Sequence, residues 1–413
     1  MSEALAPPAP PPVPQANPGG PPGAFLHVVS HRVVAFLSSY ALAIVLLLLL
    51  FVLTLLGTLE QGYSSLIDVQ RKYFESAVLV YDIGPVSIPL PGASVVLALL
   101  AANLVVGGVV RLRKGRSTIG VLITHAGILL LLGGSVVEFV ASEKGQLTLR
   151  EGSSSGEFRS YHEWEIVVRE RLEGGRATEL VLPASRLERL DPDDVARFTS
   201  ARLPFDVEVS QWMRNAAPKR APGPDGVEGW TLEALDPEMK AEDNWPGARV
   251  TLRGPTSPPR TGLVFGAQTA PWVVTWGERR FEVDLRTRRW ALPFRLELRK
   301  FVHEEHPGTS MPREFSSYVT KIEDDVRRDV HITMNEPFRH RGYTFYQSSW
   351  GPPDAPPGTP LNSTFAVVRN PTDRVPLVAC VVIAIGLLLH FGRKLLLHVR
   401  GQARGRAAVA GVS

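Results

Sequence analysis

The chain has 413 residues, 44% hydrophobic and 21% charged, a balance too apolar for a disordered protein. Its one cysteine, Cys380, excludes an internal disulfide, a Cys-only metal cage and dithiol redox chemistry. The formal charge is +4, but the basic residues are sorted by position along the chain, so nucleic acid is not the first reading.

Residues 1–30 carry Pro7, Pro8, Pro10, Pro11, Pro12 and Pro14 without apolar periodicity, which predicts an extended, disordered tail. Residues 33–56 hold no charge and are long enough to cross hydrocarbon. A signal peptide would have a shorter apolar centre and a small-residue cleavage site, so an uncleaved transmembrane helix is expected. Residues 94–110 and 119–141 predict a second and a third span, joined by a tip bearing Arg111, Arg113, Lys114 and Arg116. Residues 375–392 predict a fourth span with little tilt, and residues 393–413 a basic tail. Lys and Arg near the ends of spans are retained on the cytoplasmic side. Ten of them, Arg32, the four in the tip, and Arg393, Lys394, Arg400, Arg404 and Arg406, face a single acid, Glu3, in the same segments. Both termini are therefore expected in the cytoplasm, and residues 142–374 outside it.

That long segment alternates with period two, as in Glu163–Val168, Phe205–Val209, Val273–Trp276, Arg280–Leu285, Phe294–Leu298 and Tyr343–Tyr346. Breaker-rich stretches at Ala216–Asp225 and Gly254–Thr261 are expected to interrupt the strands. The predicted fold class is a membrane protein of four transmembrane α-helices with a large all-β extracytoplasmic domain between helices 3 and 4. Leu203-Pro-Phe-Asp-Val-Glu-Val209 and Leu292-Pro-Phe-Arg-Leu-Glu-Leu298 share one pattern, the expectation being two related β units or a chance pair of strands after proline. In each, Phe and two aliphatics should face a core while Glu208 and Glu297 face away.

Two histidines lie within predicted spans, where a polar group normally has a partner or a task. His125 sits about 9 Å in from the cytoplasmic end of the third span, and His390 just before the fourth span leaves on the same side. Neutral imidazole suits haem iron, and apolar helices could cover a porphyrin, so this pair is the candidate cofactor site. Interfacial histidines that only hydrogen-bond a neighbouring helix are the plainer alternative. Ala126 and Gly127 permit close approach of a macrocycle or of another backbone. His303 and His306 in His-Glu-Glu-His lack the spacing of a zinc protease helix and are expected on a solvated surface. His162, His331 and His340 receive no role. No nucleophile elbow, Walker loop or dinucleotide fingerprint is present, which argues against a self-contained active site.

Several segments resemble the ResB (CcsB) family of cytochrome c biogenesis. They are Ser38-Ser-Tyr-Ala-Leu-Ala-Ile-Val-Leu-Leu47 with Gly57-Thr-Leu-Glu-Gln61, Ala102-Asn-Leu104, Thr124-His-Ala-Gly-Ile128 with Gly133-Gly134, and Gly145-Gln-Leu-Thr-Leu-Arg-Glu-Gly152. Leu292-Pro-Phe-Arg-Leu296, Phe315-Ser-Ser317 and, most specific, Met334-Asn-Glu-Pro-Phe-Arg-His-Arg-Gly-Tyr-Thr-Phe-Tyr-Gln-Ser-Ser349 complete the set. The resemblance implies an integral plasma-membrane protein that works with a ResC (CcsA)-type partner to move haem b outward and present it to apocytochrome c. It implies His125 as the axial ligand of haem iron and assigns thioether formation to the complex; His390 matches no family motif, and only its depth suits a partner ligand or a contact with haem entering from the cytoplasm. The tryptophan-rich presenting motif of the partner is absent around Trp276-Gly277 and Trp350-Gly351. A compact ectodomain and a proline-rich tail depart from the family. The competing expectation is a non-haem membrane scaffold whose β domain binds partner proteins outside; a transporter is a weaker third, for want of repeat-related intramembrane polar groups.

Overall fold

The structure, a computed structural model, describes residues 32–171, 177–191, 193–223, 226–255, 257–309, 312–356 and 358–410. The proline-rich tail expected over 1–30 lies outside them. Among the described residues four helices are long and apolar enough to cross a membrane, with windows of mean hydropathy between 2.0 and 3.0. They are α1 (Tyr40–Glu60), α2 (Ala93–Val110), α3 (Ile119–Ala141) and α4 (Val375–Ala410). Large apolar side chains stand out from them, such as Phe51 at 64% exposure and Leu388 at 74%. Such surface is stable only against lipid or another apolar partner.

Three boundaries differ from the sequence reading. The first apolar run does not form one helix from residue 33: residues 32–37 are helical, the path breaks at Ser38-Ser39, and α1 restarts where the Ser39 hydroxyl accepts from the Leu42 amide at 3.0 Å. α2 is α-helical only to Asn103 and then widens into π-turns over Leu104–Val110, a stretch holding Gly107 and Gly108. α4 does not stop near residue 392 but carries the basic tail onward as helix to Ala410, since Leu, Arg, Gln and Ala there are good helix formers. Between α1 and α2 lies a hairpin the sequence reading missed, β1 (Val78–Ile83) and β2 (Val86–Pro91), turning at Gly84, which has φ +61°. Its two strand prolines, Pro89 and Pro91, hid it, because proline reads as a strand breaker.

The remaining strands run from Glu143 to Arg369, following α3 and preceding α4 in the chain. One sheet has the path β15 (Val326–Thr333), β14 (Pro312–Glu323), β13 (Arg279–Glu305), β4 (Ser154–Arg171), β3 (Glu143–Arg150), β18 (Asn362–Arg369), β17 (Tyr343–Gly351), β16 (Phe338–His340). It curls until β15 lies beside β17. The interior holds Leu147, Phe158, Phe294, Leu296, Leu298, Val319, Ile332, Phe345 and Phe365 as one core. A four-stranded sheet, ordered β11 (Arg260–Phe265), β10 (Gly247–Arg253), β7 (Asp206–Met213), β6 (Val195–Phe198), makes the second core. It packs Val207, Val209, Val250 and Val264 against Ile166, Phe281 and Val283 of β4 and β13. β5 (Ala177–Leu182) pairs with β4, and β12 (Trp272–Trp276) with β13.

The two L-P-F segments take the faces expected. Phe205, Val207 and Val209 are buried in one core, and Phe294, Leu296 and Leu298 in the other. Glu208 turns out to Arg197 and Arg253, and Glu297 to Arg327. The stretch read as breaker-rich at Ala216–Asp225 begins instead with a strand, β8 (Ala216–Arg220), in a hairpin with β9 (Trp230–Ala234). By compactness the described residues divide into a unit drawn from 32–55, 75–132 and 377–410 and a unit drawn from 56–74 and 133–376.

Candidate functional site

His125 is half-buried on α3, an uncharged helix up to Glu138. Its Nδ1 lies 2.9 Å from the Gly108 carbonyl oxygen near the end of α2. A carbonyl oxygen only accepts, so Nδ1 carries the proton, and neutral imidazole then keeps its lone pair on Nε2. A histidine that ligates a metal is held the same way, one ring nitrogen donating to a fixed oxygen and the other left basic. Thr124, beside it, donates its hydroxyl back to the Gly120 carbonyl at 3.0 Å, so it has no donor left for a ligand in that rotamer.

Glycines set how closely α4 approaches. A β-carbon at Gly120 would lie 2.7 Å from both the Gly386 carbonyl oxygen and the His390 amide nitrogen. One at Gly127 would lie 3.1 Å from the Ala379 carbonyl oxygen. Gly120 and Gly127 are seven positions apart, two turns of one helix face, so this stripe seats α4 backbone to backbone. The same stripe places His390, whose main chain touches Gly120. Its Nδ1 is buried and has no hydrogen-bond partner among the described residues, and its ring meets Phe391 edge-on at 5.2 Å.

The two histidines do not form one ready pair. Five positions separate Gly120 from His125, about 140° around α3, so the α4 contact and the imidazole leave that helix on different sides. Among the described residues no hydrogen bond or ring contact joins His125 to His390. His125 therefore has one ring nitrogen committed to a carbonyl, whereas the buried Nδ1 of His390 has no partner among the described residues. Among the described residues no three of His, Cys, Asp and Glu gather as a multidentate ion site. The donor set at His125 fits one axial position on a macrocycle.

Outside the helices, the solvated-surface reading holds for His306, which is exposed, and is corrected for His303. The ring of His303 stacks on Phe315 at 5.1 Å and leans on Trp350 at 4.7 Å, with its side chain 17% exposed. Cross-strand pairing of His303 with Phe315 brings those rings together, which no local spacing reveals. Sequence reasoning also missed a charged knot at two turns. Glu323 accepts from Lys321 at 2.6 Å and His340 at 2.8 Å and meets Arg341 at 2.7 Å. The Lys321 and His340 hydrogen bonds hold its carboxyl down at about 2. The knot ties the β14–β15 turn to the β16–β17 turn.

No curated protein matches the chain. Neither candidate histidine lies in the stretch that a family model covers, which falls wholly in the β-rich region. Over residues 261–357, from β11 to just past β17, the chain matches the model of the ResB-like family, which bears out the resemblance drawn from the sequence.

Proposed function

We propose that the chain is an integral membrane, haem-handling subunit of a ResB/ResC-type complex that moves haem across the membrane and assists its covalent attachment to apocytochrome c. In this reading the four apolar helices lie in the bilayer, the basic ends are cytoplasmic and the β-rich region is outside. The family match supports the pathway. The observation that carries the haem assignment is the His125–Gly108 hydrogen bond, which spends Nδ1 and leaves Nε2 basic inside an apolar helix.

His125 would hold the iron from one side. His390, in the same inner leaflet, is the candidate further contact for haem entering from the cytoplasm, consistent with an imidazole nitrogen that has no partner of its own. Bound haem supplies the porphyrin that is delivered; the chain's own residues orient it and exclude water. Bond formation to the apocytochrome is assigned to the complex with a ResC (CcsA)-type partner, since no nucleophile or acid/base constellation is recognisable in this sequence.

The test is the absorption spectrum of the complex purified after co-expression with its partner. A Soret band should weaken in His125→Ala and recover with added imidazole. A band unchanged by the substitution favours the second reading, a non-haem scaffold. That reading has its own support, because the matched residues 261–357 exclude both histidines.

A further inference from the structure

We propose that Gly108 and Asn103 are positioning residues for the haem iron, acting through His125; the proposal rests on the haem-handling reading above. Its core is a backbone carbonyl made available, aimed and held still by the way α2 ends.

The carbonyl is available because the final carbonyls of a helix have no partner within it. In α2 the last amide bond of the π-turns runs from Arg111 N to Val106 O. Gly108 O lies beyond that bond and is free to accept from His125. An unpaired carbonyl in lipid is costly, so the imidazole and the helix end satisfy each other.

Only glycine permits the approach. A β-carbon at residue 108 would stand 2.5 Å from Nδ1 and 2.9 Å from Cε1 of His125. Any side chain there must push the ring off the carbonyl. The neighbouring Gly107 plays the same part toward the break before α1, where its β-carbon would lie 3.2 Å from Ser38 Cα.

The break is also what anchors the carbonyl. The Asn103 amide donates to Leu37 O at 2.6 Å and to Ser39 O at 3.0 Å, and Arg111 donates to the Ser38 hydroxyl at 2.6 Å. Asn103, Gly107 and Arg111 follow one another four apart and form the face of α2 seated on Ser38-Ser39. Gly108 is the next residue along and turns its oxygen to α3. A discontinuity in the first apolar run thus fixes α2, α2 fixes the carbonyl, and the carbonyl fixes which ring nitrogen of His125 is basic. Partners that orient a metal-binding histidine in this way typically change metal affinity by about 10–100-fold when removed.

The tautomer can be read without haem. Full-length protein with ring-15N-labelled histidine, in detergent, should give a His125 signal, identified by its loss in His125→Gln, with Nδ1 protonated and Nε2 bare. In Gly108→Ala and Asn103→Ala that signal should move toward a mixture of tautomers. Titration with ferric haem should show about tenfold or weaker binding for both, with far-UV circular dichroism unchanged. A wild-type signal with the proton on Nε2 overturns the proposal, as do folded variants that keep both the tautomer and the haem affinity. If Gly108→Ala does not fold, Asn103→Ala and the wild-type spectrum decide. Haem binding that is undiminished in His125→Gln would instead overturn the ligand assignment, while the nitrogen spectrum still reports whether the carbonyl sets the tautomer.

Discussion

The apolar helices and the β-rich region spend their polar side chains in opposite ways. In the helices they are few, and three of them answer main-chain carbonyls: Asn103 at Leu37 and Ser39, His125 at Gly108, Thr124 at Gly120. Across β4, β5 and β13 they are many and answer one another. Arg286 bridges Glu165 and Glu179, Arg169 bridges Glu179 and Glu282, and Arg171 closes on Glu282. The difference teaches what each surface is for. In the proposed bilayer an unpaired main-chain carbonyl is costly, so a donor such as Asn103 or His125 is tied to one place. Cross-strand charges that answer one another neutralise a sheet face, and blunt the sheet against unwanted pairing.

That contrast can be broken first in the β-rich region, where apolar packing should dominate. Phe281 is fully buried between the sheets, and Phe281→Ala should cost about 3–5 kcal/mol of unfolding free energy in denaturant titration. Next comes the ladder. Arg286→Met removes the partner of Glu165, a carboxylate 6% exposed that burial already pushes up. The expected loss is about 2–3 kcal/mol, largely recovered when Glu165→Gln is added, because an unpaired buried charge is the cost. A ladder of independent, solvated pairs would lose far less and show no recovery.

In the helices the comparable change is smaller in energy and more local. Asn103→Ala strips two carbonyls of their donor and should cost about 1–2 kcal/mol, read as a lowered midpoint in thermal unfolding in detergent. The smallest effect belongs to Glu323. Its carboxyl is lowered from an ordinary 4.5 to about 2, so its contribution is present above pH 4.5 and lost as pH falls toward 2. The gap in melting temperature between wild type and Glu323→Gln should close over that interval; a gap independent of pH would contradict the assignment.

What could be read from the sequence was what neighbours along the chain decide. Charge-free runs gave the apolar helices, and strict alternation gave the inward Phe205 and Phe294 and the outward Glu208 and Glu297. The break at Ser38-Ser39 was hidden, because serines inside a long apolar run look harmless until Asn103, far along the chain, captures the carbonyls they expose. His303 read as surface for the same reason, since its cover, Phe315 and Trp350, comes from other strands. His125 was visible as an imidazole in a hydrophobic helix. Its Gly108 partner was not, because a backbone oxygen has no signature in a sequence.

The central claim is that this chain handles haem through His125, and covalent haem staining of the c-type cytochromes in cells whose only copy carries His125→Gln tests it most directly. The account predicts that mature cytochromes c fall to a small fraction of the wild-type level while the variant protein accumulates normally in the membrane. A full complement of haem-bearing cytochromes c in those cells would contradict it.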